Sequence, residues 1–124
     1  VTSVKEGAVN GIVTIDVNGT AVTATISMDS IKNLGVEAGK EATAFVKATE
    51  VMVAVGELKI SARNQFAGKV AKVEAGAVNS IVTIEAPVGT ISATISNAAV
   101  AELGLEAGKE ATAVIKATSV MIGC

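Results

Sequence analysis

The sequence has no histidine, tyrosine or tryptophan, and its one cysteine is the last residue, Cys124. Without histidine, neither a Ser-His-Asp nor a Cys-His catalytic arrangement can be assembled. The usual zinc ligands are also lacking, so we expect no metal site and no cofactor. The composition therefore argues against an enzyme. The carboxylates beside two glycine-lysine turns are more typical of solvated turn residues than of an acid-base pair: Glu37, Glu41, Glu106 and Glu110.

Charge and hydropathy argue against two kinds of partner. The chain has 10 Lys and Arg against 12 Asp and Glu, without the clustered basic face that nucleic acid requires. Apolar residues make up 50% of the chain, but the apolar runs are too short to cross a membrane. No secretory signal is recognisable, and Cys124 cannot form an internal disulfide. We therefore expect a cytoplasmic protein.

What the sequence does contain is one segment twice. Residues 1–55 align without a gap on residues 70–124 at an offset of 69, and 29 of the 55 pairs are identical. Only the second copy is preceded by ISARNQFAGK, Ile60–Lys69. We predict two repeats, 1–55 and 60–124, joined by a linker at 56–59, with the opening strand absent from the first repeat. Whether the chain is a processed product, a shortened form or a natural variant stays open.

Each repeat has the pattern of a small antiparallel β-domain. Polar and apolar residues alternate over Ala21–Ser27 and again over Thr90–Ser96, which predicts half-buried strands. Asn18–Gly19 predicts a tight hairpin. One short helix per repeat is expected, capped by Ser27 or Asp29 in the first copy and by Ser96 in the second. About five strands and one helical turn in so short a unit indicate a barrel of the OB type.

The residues that remain favour anion binding. A tetrahedral oxyanion needs converging N–H and O–H donors, which glycine turns, small hydroxyl residues and fixed cations supply. Gly39–Lys40 and Gly108–Lys109 place a cation after a flexible turn whose backbone N–H groups can form a nest. Ser61 and Arg63 would share one face of a strand beginning at Ile60. A glycine-lysine turn is also common without any ligand, so spacing alone leaves both interpretations open.

Three segments together resemble a known family. SARNQFAGKV, the GAVN segment and LGLEAGKEATAVIKATSVMIG (Leu103–Gly123) look like the molbindin, or Mop, domain of the TOBE family. The resemblance covers the second copy and all of the first except its opening strand. It implies tandem OB-like five-stranded antiparallel barrels that exchange their first strands. It also implies that three chains assemble into a trimer with six Mop domains, which binds molybdate or tungstate between domains.

The resemblance also implies which residues bind the anion. The first kind of site would use the SARN segment, the glycine-lysine turns and the helix starts: Ser61, Arg63, Asn64, Gly39, Lys40, Ser27, Gly108, Lys109 and Ser96. The second kind would use the two GAVN segments: Val9, Asn10, Val78 and Asn79. Asn10 and Asn79 could equally cap a local turn. Because one SARN segment serves two turns, it should complete the site of Lys40 and leave Lys109 without an arginine.

The expected function is storage or buffering of molybdate, with tungstate as a second ligand. A structural or oligomerisation module, or the ligand-sensing part of a molybdate-responsive regulator or transporter, is the alternative. Strand exchange would serve that role whether or not an anion binds. An enzyme is the weakest hypothesis, for the reasons of composition given above.

Overall fold

The computed structural model describes all 124 residues, which divide into two compact units. The elements of the first repeat are β1 Ser3–Lys5, β2 Asn10–Val17, β3 Thr20–Ser27, α1 Met28–Leu34, β4 Thr43–Phe45, a 3₁₀ turn Ala48–Glu50 and β5 Met52–Ala54. Those of the second are β6 Asn64–Ala75, β7 Asn79–Ala86, β8 Gly89–Ser96, α2 Asn97–Leu103, β9 Glu110–Ile115, a 3₁₀ turn Ala117–Ser119 and β10 Met121–Gly123. No helix is long and apolar enough to span a bilayer.

Local sequence signals account for the hairpin and both helices. Asn18 and Gly19 have φ of 51° and 82°, so the predicted two-residue turn between β2 and β3 is confirmed. The Ser27 side chain, rather than Asp29, caps α1 by accepting from the N–H of Ser30. Ser96 caps α2 in the same way. Both helices end at a left-handed glycine, Gly35 and Gly104, a conformation that glycine adopts without strain.

The second unit comprises Lys47–Ile115 and contains one five-stranded antiparallel sheet in the order β5-β9-β6-β7-β8. The outer strands β5 and β8 also approach each other, as in a sheet that curls towards a barrel. β6 pairs with β9 over Asn64–Lys69 and with β7 over Lys69–Ala75, with an irregularity in the β7 pairing between Val70 and Lys72. Val82, Ile84 and Val114 are fully buried in this unit.

The first unit comprises Val1–Val46 and Lys116–Cys124. Its five strands form two sheets, β1-β2-β3 and β10-β4. Its core is formed by five buried side chains from β2, α1 and the turn that follows it: Val13, Ile15, Met28, Ile31 and Val36. The mostly β, antiparallel class with one short helix per repeat is therefore confirmed.

Within this chain, the two repeats exchange their last strands and not their first strands. β5, from the first repeat, pairs with β9 of the second, and β10, from the second repeat, pairs with β4 of the first. The opening strand β6 stays with β7 and β9 of its own repeat, where Phe66 is buried. Within this chain the first strand is therefore not exchanged, and exchange of first strands between chains stays a prediction. β6 is one uninterrupted strand that pairs with both β7 and β9. Each of the exchanged strands, β5 and β10, instead follows a 3₁₀ turn.

Candidate functional site

The two predicted lysines close the C-terminal ends of the helices. Lys40 Nζ donates to the carbonyl oxygens of Leu34 at 2.8 Å and Gly35 at 3.3 Å. Lys109 Nζ donates to the carbonyl oxygen of Leu103 at 2.6 Å. The last carbonyls of a helix lack intrahelical partners and carry a partial negative charge, so an ammonium group there is stabilising. An ammonium has three N–H donors, so both lysines keep some capacity for another acceptor.

The backbone N–H groups of the glycine-lysine turns are also used within the fold. The N–H of Gly39 donates to the carbonyl of Val1 at 2.8 Å, and the N–H of Lys40 donates to Glu37 at 3.1 Å. The second turn repeats this pattern, with Gly108 donating to Val70 and Lys109 to Glu106. The turns do adopt the expected left-handed glycine, with φ of 90° and 91°. Their amides hold neighbouring segments together and do not converge on an open nest.

The helix starts and the GAVN segments form one local structure in each repeat. The N–H of Met28 donates to the carbonyl of Val9 at 2.7 Å, and the N–H of Asn97 donates to Val78 at 2.9 Å. In strand register, Asn10 lies opposite Ser27. Residues directly opposite in an antiparallel pair point to the same face of the sheet. Residues predicted for two separate kinds of site, Ser27 and Asn10, are therefore neighbours.

The second repeat has the same neighbours, Asn79 opposite Ser96. The side-chain amides of Asn10 and Asn79 are exposed and form no hydrogen bond within the chain. The adjoining valines, Val9 and Val78, are 73% and 72% exposed. Each repeat thus presents an unpaired amide beside the start of a helix, next to an exposed apolar side chain. Sequence spacing did not reveal this pairing, although the alignment of ATIS opposite GAVN across the Asn18–Gly19 hairpin was a usable signal.

The SARN segment lies outside the strand that was predicted to carry it. β6 begins at Asn64, so Ser61 and Arg63 stand in the bent segment before it and the argument from strand alternation does not apply. Gln65 Nε2 holds this segment by donating to the carbonyls of Ile60 at 3.2 Å and Ala62 at 2.9 Å. Ser61 and Arg63 are exposed, whereas the Asn64 side chain is buried.

No single unit brings all the predicted donors together. Ser27 and Lys40 sit at opposite ends of the seven-residue helix α1, which separates them by roughly 10 Å at 1.5 Å per residue. In the second unit, Asn64 pairs with Ile115 while Lys69 pairs with Glu110 next to Lys109. That pairing puts Arg63 and Lys109 at opposite ends of a strand about 17 Å long. The predicted donors therefore form separate groups within each unit.

Comparison with known proteins identifies the family. The model of the TOBE domain matches residues 1–53 and again residues 60–122. The chain belongs to the TOBE domain family. Its repeats are therefore two tandem TOBE domains in sequence, whereas the compact units of the structure each combine parts of both.

Related TOBE proteins have names that describe binding or transport of molybdenum compounds. A probable molybdenum-pterin-binding protein of Haemophilus influenzae is 61% identical over 67 residues, which is 53% of this chain and 97% of that protein. The molybdenum transport protein ModE of Herbaspirillum seropedicae is 35% identical over 98% of this chain. The molybdenum-pterin-binding protein MopA of Rhodobacter capsulatus is 36% identical over the same share. The chain spans just under half of those last two proteins, 47% and 48%.

A solved structure matches almost the whole chain. The cytoplasmic molybdate-binding protein ModG, in a form with molybdate bound, has a TM-score of 0.95 and 42% identity. The match covers 99% of this chain and 90% of that one. Ligand-free MopII from Clostridium pasteurianum matches 53% of the chain at a TM-score of 0.51 and 46% identity. These likenesses confirm the predicted OB-like Mop fold.

Proposed function

We propose that this chain binds molybdate as a free oxyanion, accepts tungstate at the same sites, and stores or buffers the anion in the cytoplasm without catalysing a reaction. One observation of the structure carries the proposal. In both repeats an exposed, unpaired asparagine amide stands beside a serine-capped helix start, where partial positive charge favours an anion. The molybdate-bound relative of the same fold supports the choice of anion.

The anion sites are formed between copies of the chain. The predicted donors are too far apart within one unit to surround a single tetrahedral anion, so a complete set needs donors from more than one unit. Val9, Ile12, Val78 and Ile81 are exposed apolar side chains on and beside the GAVN segments. Such exposed apolar side chains are commonly covered in an assembly. A trimer with six TOBE domains satisfies both requirements.

The aromatic content favours a bare oxyanion over a pterin compound. A planar pterin ring is best held by stacking on an aromatic side chain. This chain has two phenylalanines and neither tyrosine nor tryptophan, and Phe66 is buried in the core. Only Phe45 is accessible; it lies on β4 and pairs with Met121 of β10. The two Asn-Ser pairs have no ring beside them on which a pterin could stack.

Isothermal titration with molybdate in a large excess of sulfate tests the proposal directly. We expect saturable heat and several anions per assembly, with tungstate competing for the same sites. Asn10→Ala combined with Asn79→Ala should weaken binding about tenfold or more per site, since a hydrogen bond to a charged group contributes about 1.5–3 kcal/mol. Both side chains are exposed and unpaired, so stability should hold. Asn33→Ala, an exposed asparagine at the far end of α1, is the matched control. Absence of heat with the unaltered protein would refute molybdate binding.

Arg63 gives a second, independent test of the predicted ligand set. Arg63→Ala removes an exposed guanidinium and should lower affinity about tenfold or more at the sites it completes. Lys59→Ala removes one exposed positive charge four residues away and controls for the change in net charge. Equal losses for the two variants would mean that the arginine acts only through overall charge. Sedimentation of both variants should give the same mass as the unaltered chain.

The second candidate function is that of a ligand-sensing or oligomerisation module within a larger regulator or transporter. It is favoured by the ModE relative, which this chain matches over 98% of its own length but only 47% of that protein's. The two candidates differ in how assembly depends on ligand. A storage protein should keep one oligomeric mass with and without molybdate, whereas a sensing module should change its mass or hydrodynamic shape. Sedimentation velocity at both conditions distinguishes them.

A further inference from the structure

The loop that precedes the Asn-Ser pair is held by several hydrogen bonds in the second repeat. The N–H of Gly76 donates to the carbonyl of Asn79 at 2.8 Å. Asn97 Nδ2 donates to the carbonyl of Gly76 at 2.9 Å, and Asn97 Oδ1 accepts from the buried hydroxyl of Ser80. Through Asn97, the loop is therefore bonded to the strand β7 and to the start of α2.

The side chains that hold this loop have no counterpart in the first repeat. Met28 stands at the place of Asn97, and its thioether has no N–H group to donate to the loop. Gly11 stands at the place of Ser80 and has no hydroxyl. The first loop therefore lacks the side-chain bonds that connect the second loop to its helix and strand.

Backbone pairing beside the two loops shows the same difference. The pairing of β6 with β7 continues to Ala75 opposite Ser80, directly at the loop. The pairing of β1 with β2 ends one pair earlier, with Lys5 opposite Ile12. The N–H of Gly7 also lacks the backbone bond that closes the second loop. The loop of the second repeat is thus the more firmly held of the two.

The serine hydroxyls of the two pairs also differ. Ser27 Oγ accepts from the N–H of Ser30 at 3.1 Å and donates its own proton to Ser30 Oγ at 2.9 Å. Ala99 stands at the place of Ser30 in α2, so Ser96 Oγ accepts from the N–H of Ala99 at 3.0 Å but has no acceptor for its own proton. The second repeat therefore has an unused, exposed hydroxyl opposite the unpaired amide of Asn79.

We propose that the two Asn-Ser pairs bind molybdate with unequal affinity, the pair of the second repeat being the tighter. This inference rests on the proposed function, and it means that the chain buffers the anion over a wider range of concentrations than equal sites would. Two donor groups are free at Asn79 and Ser96 against one in the first repeat, and a hydrogen bond to a charged group contributes about tenfold or more in affinity. A loop that is already held also loses less conformational freedom on binding. Asn97 is a positioning residue, which acts through the loop.

Nuclear magnetic resonance of the side-chain amides measures the two pairs separately in the full chain. The signals of Asn10 and Asn79 are assigned by their absence from the Asn10→Ala and Asn79→Ala variants. Molybdate is then added stepwise in a large excess of sulfate. The Asn79 signal should reach half of its change at a free molybdate concentration about tenfold or more below that for Asn10.

The same titration separates failure of this inference from failure of the proposed function. Equal midpoints for the two signals, or a lower midpoint for Asn10, would overturn the inequality and leave molybdate binding intact. If neither signal changes, molybdate does not bind at these pairs, and the proposed function fails together with the inference.

Ser30→Ala tests the role of the hydroxyl. It gives α1 the alanine that α2 has at this place and removes the acceptor of the Ser27 proton. The Asn10 midpoint should fall by about threefold or more, a gain of affinity that a loss of stability could not produce. Ser92→Ala, at an exposed serine of β8 outside both pairs, is the matched control and should move neither midpoint. An unchanged Asn10 midpoint in Ser30→Ala would contradict the role of the hydroxyl.

Ser80→Gly combined with Asn97→Met tests the hold on the loop. The double variant gives the second repeat the residues of the first and leaves Asn79 and Ser96 in place. The Asn79 midpoint should rise by about threefold or more. The Asn10 midpoint, measured in the same sample, should stay where it is and shows that the change is local. An unchanged Asn79 midpoint, or an equal rise at both pairs, would rule out positioning by Asn97.

Discussion

The two units are built from repeats of related sequence, yet their cores are completed in different ways. In the first unit α1 contributes two buried side chains, Met28 and Ile31, whereas α2 in the second unit contributes none. The second unit instead buries Phe66 from the strand β6 that the first unit lacks. A repeated fold can thus place its apolar volume on a helix in one copy and on a strand in the other. The comparison shows that repeat identity does not imply identical packing.

The difference extends to the residues beneath the helices. A Cβ at Gly11 would lie 2.4 Å from Ile31 Cδ1 and 3.1 Å from Met28 Sδ, so glycine leaves room for the apolar helix. At the equivalent place Ser80 donates through Oγ to Oδ1 of Asn97. Asn97 Nδ2 donates in turn to the carbonyl of Gly76 at 2.9 Å. An apolar contact in one unit is replaced by a small polar network in the other.

The strongest test of the comparison places a charge at equivalent positions of β9 and β4. Val114→Asp should lower the free energy of unfolding by about 4 kcal/mol or more, because it buries an unpaired carboxylate in the second unit. Phe45→Asp, at an exposed position, should cost less than about 1 kcal/mol. Urea denaturation measures both. If the two variants lose similar amounts of unfolding free energy, β4 is covered in solution to the same extent as β9.

The second test exchanges the residues beneath the helices. Gly11→Ser alone should cost about 2 kcal/mol, since its Cβ overlaps Ile31 and approaches Lys5 O at 3.0 Å. Combining it with Met28→Asn rebuilds the serine-asparagine pair of the second unit. The double variant should be less destabilised than the sum of the two single variants by about 1 kcal/mol. Strict additivity in chemical denaturation would contradict this account of the two helix contacts.

The third test concerns Phe45 and the strand it faces. A Cβ at Gly123 would lie 2.7 Å from Cε2 of Phe45, so glycine in β10 accommodates the ring. The equivalent pair in the second unit is Val114 and Ala54. Gly123→Ala should cost about 1 kcal/mol, and Phe45→Val should restore most of that loss by removing the overlap. Thermal denaturation of the two single variants and the double variant measures the coupling free energy between these positions. If there is no coupling, the Phe45 ring does not contact Gly123.

The smallest change in the free energy of unfolding is expected for the lysine contact that both units share. Lys40→Ala and Lys109→Ala each remove an ammonium from helix C-terminal carbonyls and should each cost about 0.5–1 kcal/mol. The two losses should match within about 0.5 kcal/mol, because both units share this contact. Lys59→Ala is the control for lost charge and should be neutral. A loss confined to one lysine would show that the two helix ends differ in solution.

Features set by neighbouring residues were predictable from the sequence. The Asn18–Gly19 hairpin and the serine and glycine helix caps follow from the conformations those residues favour. The exchange of the last strands was not predictable, because the segments that carry them, 47–55 and 116–124, are similar in sequence. KAT at Lys47–Thr49 recurs at Lys116–Thr118, and Val51 and Val120 are both buried. The fit of Gly123 to the Phe45 ring favours one pairing, but that contact can be recognised only once the pairing is known.

The candidate site was predictable in composition but not in arrangement. The spacing of residues in the sequence singled out lysine, serine and asparagine as possible donors. The hydrogen-bond acceptors of those side chains depend on where each helix and strand ends in the fold. Lys40 follows the helix-ending Gly35 by five residues, a spacing that lets its side chain fold back onto the helix. That spacing equally suits a ligand site, and only the hydrogen bond distinguishes the two. The ligating roles of SARN and GAVN remain predictions.

The way each tail joins the other body also sets an order of folding during synthesis. Unit 2 is a single stretch, Lys47–Ile115, and has all its strands once Ile115 has left the ribosome. Unit 1 begins earlier along the chain but needs Lys116–Cys124 to supply β10. Domains usually fold from the N-terminus as they emerge. Here the N-terminal unit is completed after the unit that follows it, because β4 has no partner strand until β10 has been synthesised.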